Sequence, residues 1–149
     1  MEIRAVTRAE LADVLSFWAT ATEVASATDD LPALLALVEH DPDSLLVAVH
    51  DGVVVGTLIA AWDGWRGSYY RLAVAPSHRR TGLGRALVMR GQHRLEQLGA
   101  RRIGLFAVGS HEPAMRFWAA VGFTHESGHE RFARTRLPAD RRGGGTAPD

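Results

Sequence analysis

A chain of 149 residues, 46% hydrophobic and 23% charged, has the size of one domain. Folding at that length buries about 70% of the unfolded surface, so no covalent staple is needed. Cysteine is absent, which excludes a disulfide scaffold, a thiolate metal site and a cysteine nucleophile. The zero net charge divides unevenly: eleven acids and two arginines precede Gly64, six acids and fifteen arginines follow, and no residue is lysine. Arginine alone favours planar, bidentate contacts to phosphate or carboxylate. The compensating acidic half speaks against a binder of nucleic-acid backbone. The longest apolar stretch, residues 31–38, falls short of the roughly 20 residues that span a bilayer, and Met1 to Arg4 do not open a signal peptide. A cytoplasmic protein without membrane contact is therefore expected.

Residues 2–6 form a short candidate strand. Thr7 and Glu10 then have the spacing of a capping box, so a first helix is expected there, with Leu11, Val14, Leu15 and Trp18 on its buried face. A polar segment, residues 20–29, carries Glu23 and Asp29; Asp30 and Pro32 open a second helix striped by Leu31, Leu34, Leu35 and Val38. Residues 45–50 and 53–61 read as an antiparallel pair joined by Asp51-Gly52, a turn whose two positions both want positive φ. A loop over residues 62–67 leads to a strand over 68–74. Residues 81–98 read as a long helix with Leu83, Leu87, Leu95 and Leu98 on one side and Gly99 at its stop. A strand over 102–108, a helix over 112–121 capped by Ser110, and two last strands over 123–129 and 130–137 complete the pattern. Residues 1–138 make one domain, and 139–149, with three successive glycines, a disordered tail.

The segment from Leu72 to Leu87 is the most informative. A strand passes through a proline-stopped turn into Gly82-Leu83-Gly84, which opens a helix. Several N–H groups and the positive helix end then point outward together, an arrangement suited to pyrophosphate, with Arg79, Arg80 and Arg85 adding charge. Glycines leave room for a phosphate to approach the backbone. A P-loop is excluded because there is no lysine, and a dinucleotide fingerprint lacks its third glycine, replaced by Leu87. Leu-x-Val-x-Pro-x-x-Arg-x-x-Gly-x-Gly instead resembles the acetyl-CoA signature of the GNAT acetyltransferase superfamily, and residues 113–123 resemble its second motif.

That resemblance implies an α/β fold with a mixed, mostly antiparallel sheet of six to seven strands, splayed between the fourth and fifth, and four helices. It implies an acetyl-CoA-dependent N-acetyltransferase that acts on an amine by direct attack. The backbone of Leu72, Ala73 and Val74 would meet the pantetheine arm, with an N–H near Leu72 or Ala73 polarising the thioester carbonyl. Arg79, Arg80, Thr81, Gly82, Leu83 and Gly84 would wrap the pyrophosphate, Arg85 would reach the nucleotide phosphates, and His111 would bond the cofactor arm or cap a helix.

The sequence also departs from the family pattern. Trp118 occupies the position of a tyrosine acid, Phe106 that of a glutamate base, and His111 that of an asparagine. An indole N–H cannot protonate a thiolate, so Tyr69 or Tyr70 would replace that acid; otherwise a thiol with a pKa of about 8.5 leaves unaided. A non-catalytic acyl-CoA-binding module is the alternative that Trp118 suggests. Glu23, Asp29, Asp30 and Asp63 would draw a cationic amine toward the acceptor pocket, with Trp62 and Trp65 as an apolar or cation–π wall. No metal is expected: His125 and His129, four apart in a strand, would stand about 13 Å from each other. Pairing of two copies through the late strands is compatible with this reading.

Overall fold

The computed structural model describes residues 1–22, 25–107 and 112–136. Five strands, β1 (Glu2–Ala5), β2 (Leu45–His50), β3 (Val53–Trp62), β4 (Gly67–Val74) and β5 (Ile103–Leu105), lie side by side in chain order. The first four pair antiparallel, and β5 runs parallel to β4. Helices α1 (Leu11–Ala21) and α2 (Leu31–His40) cover one face of this sheet. Helices α3 (Leu83–Leu98) and α4 (Glu112–Ala120) belong to the other.

Local chemistry accounts for these boundaries. A short 3-10 turn over Arg8–Glu10 precedes α1, and the Glu10 carboxylate accepts the Thr7 N–H at 2.8 Å. Asp30 caps α2 by accepting from the Ala33 N–H at 2.9 Å. Asp51 (φ 50°) and Gly52 (φ 77°) close the β2–β3 hairpin in the left-handed conformations its two-residue turn demands. Two buried clusters result, one each side of the sheet. Leu11, Val14, Trp18, Leu34, Leu45 and Ile59 fill the α1/α2 side, while Leu46, Leu58, Tyr69, Leu87, Val88 and Leu95 fill the α3 side. Helix α3 lies so close that a Cβ on Gly91 would sit 2.9 Å from Leu58 and 3.1 Å from Tyr69.

Several expectations need correction. The sheet has five strands among the described residues, not six or seven, because residues 123–136 form no strand. Only Phe123 of that stretch packs against a core, and Phe132 is 94% exposed, so there is no apolar face to hold a sheet edge. Strand β5 is also short, three residues where seven were expected. Helix α3 starts at Leu83, since Gly82 stands at φ 84° and the Thr81 hydroxyl donates to the His78 carbonyl at 2.5 Å. Leu31 and Leu98, expected in buried stripes, are exposed at helix ends. Residues 137–149, and with them the expected tail, lie outside the described residues.

Candidate functional site

The pairing of β4 with β5 covers only Gly67–Tyr69 against Ile103–Leu105. From Tyr70 to Val74 strand β4 continues without that neighbour, because β5 ends at Leu105 opposite Tyr69, and this leaves a gap beside the second half of β4. Which backbone groups face the gap follows from ladder alternation. Ala75 N–H donates to Val55 O at 2.8 Å, and Thr57 opposes Ala73 in the same register. Hydrogen-bonded pairs recur every second residue, so the Ala73 N–H also points to β3, while Val74 turns its N–H into the gap. Of the two residues expected to polarise the thioester, Ala73 thus has its N–H turned toward β3.

The gap ends at the glycine turn. Pro76–His78 makes one 3-10 turn, Arg80 stands at φ 61°, and Gly82 at φ 84°. The first bond of the following helix is Ala86 N–H to Gly82 O, 3.0 Å, which leaves the N–H groups of Leu83, Gly84 and Arg85 ahead of the intrahelical ladder. A Cβ built on Gly82 would meet nothing within 4 Å, so its outer face is open, as a phosphate cradle requires. Gly84 differs: its Cβ position lies 3.4 Å from Phe117, and the residue serves the approach of α4 to α3. Arg79 bridges Val74 O and Ala21 O, each at 3.3 Å, tying the end of β4 to the end of α1. Arg85 reaches the Ala120 carbonyl at 3.4 Å. Arg80 is exposed and makes no ion pair among the described residues.

Tyr69 and Trp118 belong to an aromatic cluster. Their ring centroids are 6.2 Å apart, and Phe123 lies 5.7 Å from Tyr69 and 5.2 Å from Trp118. The buried Tyr69 hydroxyl donates to Val88 O at 3.0 Å, and burial pushes its pKa above the usual tyrosine range. Tyr70, 51% exposed, faces the opposite side of the sheet with Ile59. His111 and Glu23 lie outside the described residues.

The remaining acids are engaged. Asp29 pairs with Arg71, Asp30 caps α2, and Asp63 accepts from Trp65 N–H at 2.8 Å and Arg66 N–H at 2.6 Å, which holds its carboxyl below the ordinary range. Asp63 and Trp65 sit at the start of β4, roughly 23 Å of strand away from the glycine turn. There Trp62, Trp65, Arg66, Leu98, Arg101 and Arg102 help line an open cavity of about 510 Å³, and Arg66 stacks over the Trp65 ring at 3.9 Å. These two candidates thus lie at the far end of β4 from the glycine turn. No group of three or more His, Cys, Asp or Glu residues is placed to hold a metal ion among the described residues, and no helix there is long and apolar enough to cross a membrane.

Sequence reasoning missed Arg71. The register slips so that Arg71 and Leu72 together oppose Leu58, and Arg71 takes φ 55° within this bulge. The signal was a charge in an apolar run: alternation from Tyr69 would have put Arg71 on the α3 side, where a guanidinium has no place.

Comparison with known proteins agrees with this geometry. The family model described as "Acetyltransferase (GNAT) family" matches residues 11–123. An acetyltransferase of Sodalis glossinidius is 30% identical over 123 residues, covering 83% of this chain and 87% of that protein. The solved structure of a Trypanosoma brucei acetyltransferase superposes with a TM-score of 0.66 at 25% identity, covering 91% of this chain and 99% of that one. The aminoglycoside N-acetyltransferase AAC(6')-Iy, solved in complex with CoA, gives a TM-score of 0.67 at 21% identity, with 91% and 95% covered.

Proposed function

This chain belongs to the GNAT acetyltransferase family, and we propose that it moves the acetyl group of acetyl-CoA to an amine of a small molecule or peptide, by direct attack in a ternary complex. The observation that carries the reading is the continuity of two features: the unpaired half of β4 leads directly into an open, left-handed glycine turn at the start of α3. One can receive an extended amide-bearing arm by strand-like hydrogen bonds, the other a pyrophosphate. The CoA complex of AAC(6')-Iy supports the choice of donor.

The chain's own groups then divide the work. The N–H groups of Leu83, Gly84 and Arg85 and the dipole of α3 hold the pyrophosphate, with the exposed Arg80 adding positive charge. Leu72 and Val74 offer N–H groups to the arm, and the Leu72 N–H stabilises the oxyanion that forms as the amine attacks. The C–N bond forms as the C–S bond breaks, and the amine loses one proton on the way. With Asp29, Asp30 and Asp63 engaged, that proton leaves to water. Tyr69 is bound to Val88 and Trp118 has no acidic proton, so Tyr70 is the candidate acid whose hydroxyl is free to move toward the thiolate.

Release of CoA thiol with a panel comprising a polyamine, an aminoglycoside and a peptide with a free N-terminus tests the proposal. Steady release with at least one class is expected. No release with any, from protein that binds acetyl-CoA, counts against amine acetylation.

A further inference from the structure

The bulge in β4 turns two consecutive side chains, Tyr70 and Arg71, to the α1/α2 face. There Arg71 makes a fork-to-fork pair with Asp29: its Nε donates to Oδ1 at 3.0 Å and its second nitrogen binds Oδ2. Asp29 Oδ2 also accepts the Ser26 N–H at 3.0 Å. Both side chains are largely withdrawn from water, 17% exposed for Arg71 and 16% for Asp29. The guanidinium carbon lies 5.3 Å from the centre of the Trp18 ring. The Trp18 indole donates to Thr57 Oγ1 at 2.8 Å, and that hydroxyl donates to the Arg71 carbonyl at 2.8 Å. Backbone and side chain of one residue are thereby fixed by the same group of neighbours.

We infer that Asp29 and Arg71 form a positioning clamp that holds residues 25–30, taken under the acetyl-transfer reading as a wall on the acceptor side, over the β4 bulge. Asp29 then serves the reaction through Arg71 and not by pairing with the acceptor amine, because its carboxylate is already engaged and its charge matched by a bidentate guanidinium, with a backbone N–H beside it. Removal of the clamp frees the wall while leaving the Leu72 and Val74 backbone and the glycine turn in place. The inference rests on the acetyl-transfer reading for its catalytic consequence, and on geometry alone for the clamp.

Backbone and side-chain roles of Arg71 are separable by substitution. Glycine adopts φ 55° freely, so Arg71→Gly removes the guanidinium and keeps the bulge, whereas valine resists that conformation and Arg71→Val disturbs both. Amide hydrogen exchange over residues 25–30 and acetyl-CoA titration are measured for the whole chain, for these variants, for Asp29→Asn and for the Asp29→Asn/Arg71→Gly double variant. The clamp predicts exchange at least tenfold faster in Arg71→Gly and in Asp29→Asn, with the double variant no faster than either. Acetyl-CoA affinity stays within twofold in these three and falls at least tenfold in Arg71→Val. With the best amine of the panel, acceptor KM rises at least fivefold in Asp29→Asn while acetyl-CoA KM holds. Unchanged exchange in Arg71→Gly, multiplied effects in the double variant, or equal shifts in both KM values overturns the inference. If the unaltered protein binds no acetyl-CoA, the CoA reading fails while the exchange data still decide the clamp.

Discussion

The hydroxyl of Tyr69 donates to the carbonyl of Val88 at 3.0 Å, joining strand β4 to helix α3. A phenol so bound, and with its pKa raised by burial, is a packing residue. Tyr69→Phe should cost about 1 kcal/mol of stability, the worth of one buried hydrogen bond, and leave kcat within twofold. Chemical denaturation and steady-state kinetics check this; a loss of a hundredfold or more in kcat without a stability change would instead make Tyr69 the acid.

Thr57 is fully buried, and its hydroxyl serves two partners on different elements. Thr57→Val keeps the shape and strands the Trp18 indole N–H and the Arg71 carbonyl together. A destabilisation of about 1–3 kcal/mol is expected, against a few tenths for Thr57→Ser at the hydrogen-bonding level. Urea unfolding midpoints of the two variants measure the difference directly.

Glu10 carries the acid sensitivity of the first turn. The Arg4 guanidinium, 2.5 Å away, and the Thr7 N–H lower its pKa from 4.5 to about 2. A depressed carboxylate stabilises the fold fully above its unfolded pKa, and the contribution fades as pH falls through the folded value. Stability should therefore decline between pH 5 and 2, by roughly 1 kcal/mol from this group after allowance for solvent screening. In Glu10→Gln that part of the slope should vanish in melts followed by circular dichroism.

Arg79 and Arg80 are adjacent and should behave differently. Arg79 is engaged with Val74 O and Ala21 O, so Arg79→Ala should lower the melting temperature and act on acetyl-CoA only through the turn's position. Arg80→Ala should leave the melting temperature unchanged, weaken acetyl-CoA by a few-fold and flatten the dependence of affinity on salt, as expected for loss of a phosphate contact. Titrations at two ionic strengths separate the cases.

What the sequence made legible was mostly what has a local cause. Asp51-Gly52 closes its hairpin because both residues accept positive φ, and Asp30 begins α2 because its carboxylate reaches the Ala33 N–H. The turn from Pro76 to Gly84 is written in its own proline and glycines. What escaped depends mostly on distant partners. Residues 123–136 have strand-like composition in part but no apolar face, and Asp29 reads as a free acid until Arg71, 42 positions later, is placed beside it by a one-residue bulge. Asp63 escaped although its partners are local: it looks available in one dimension, while its carboxylate folds back on the N–H groups of Trp65 and Arg66.

The glycine turn beside the unpaired half of β4 is the proposed seat of acetyl-CoA. Calorimetric titration of the protein with acetyl-CoA, alongside Gly82→Val and Gly82→Asn, tests it most directly. Nothing lies within 4 Å of the Gly82 Cβ position, so a substitution there acts through its φ of 84° and through the occupied phosphate space, not through a clash in the core. Micromolar binding to the unaltered chain, weakened at least tenfold by valine and less by asparagine, which tolerates left-handed backbone, is the predicted result. Absence of binding to the unaltered chain, or equal binding by a folded Gly82→Val variant, would contradict the account.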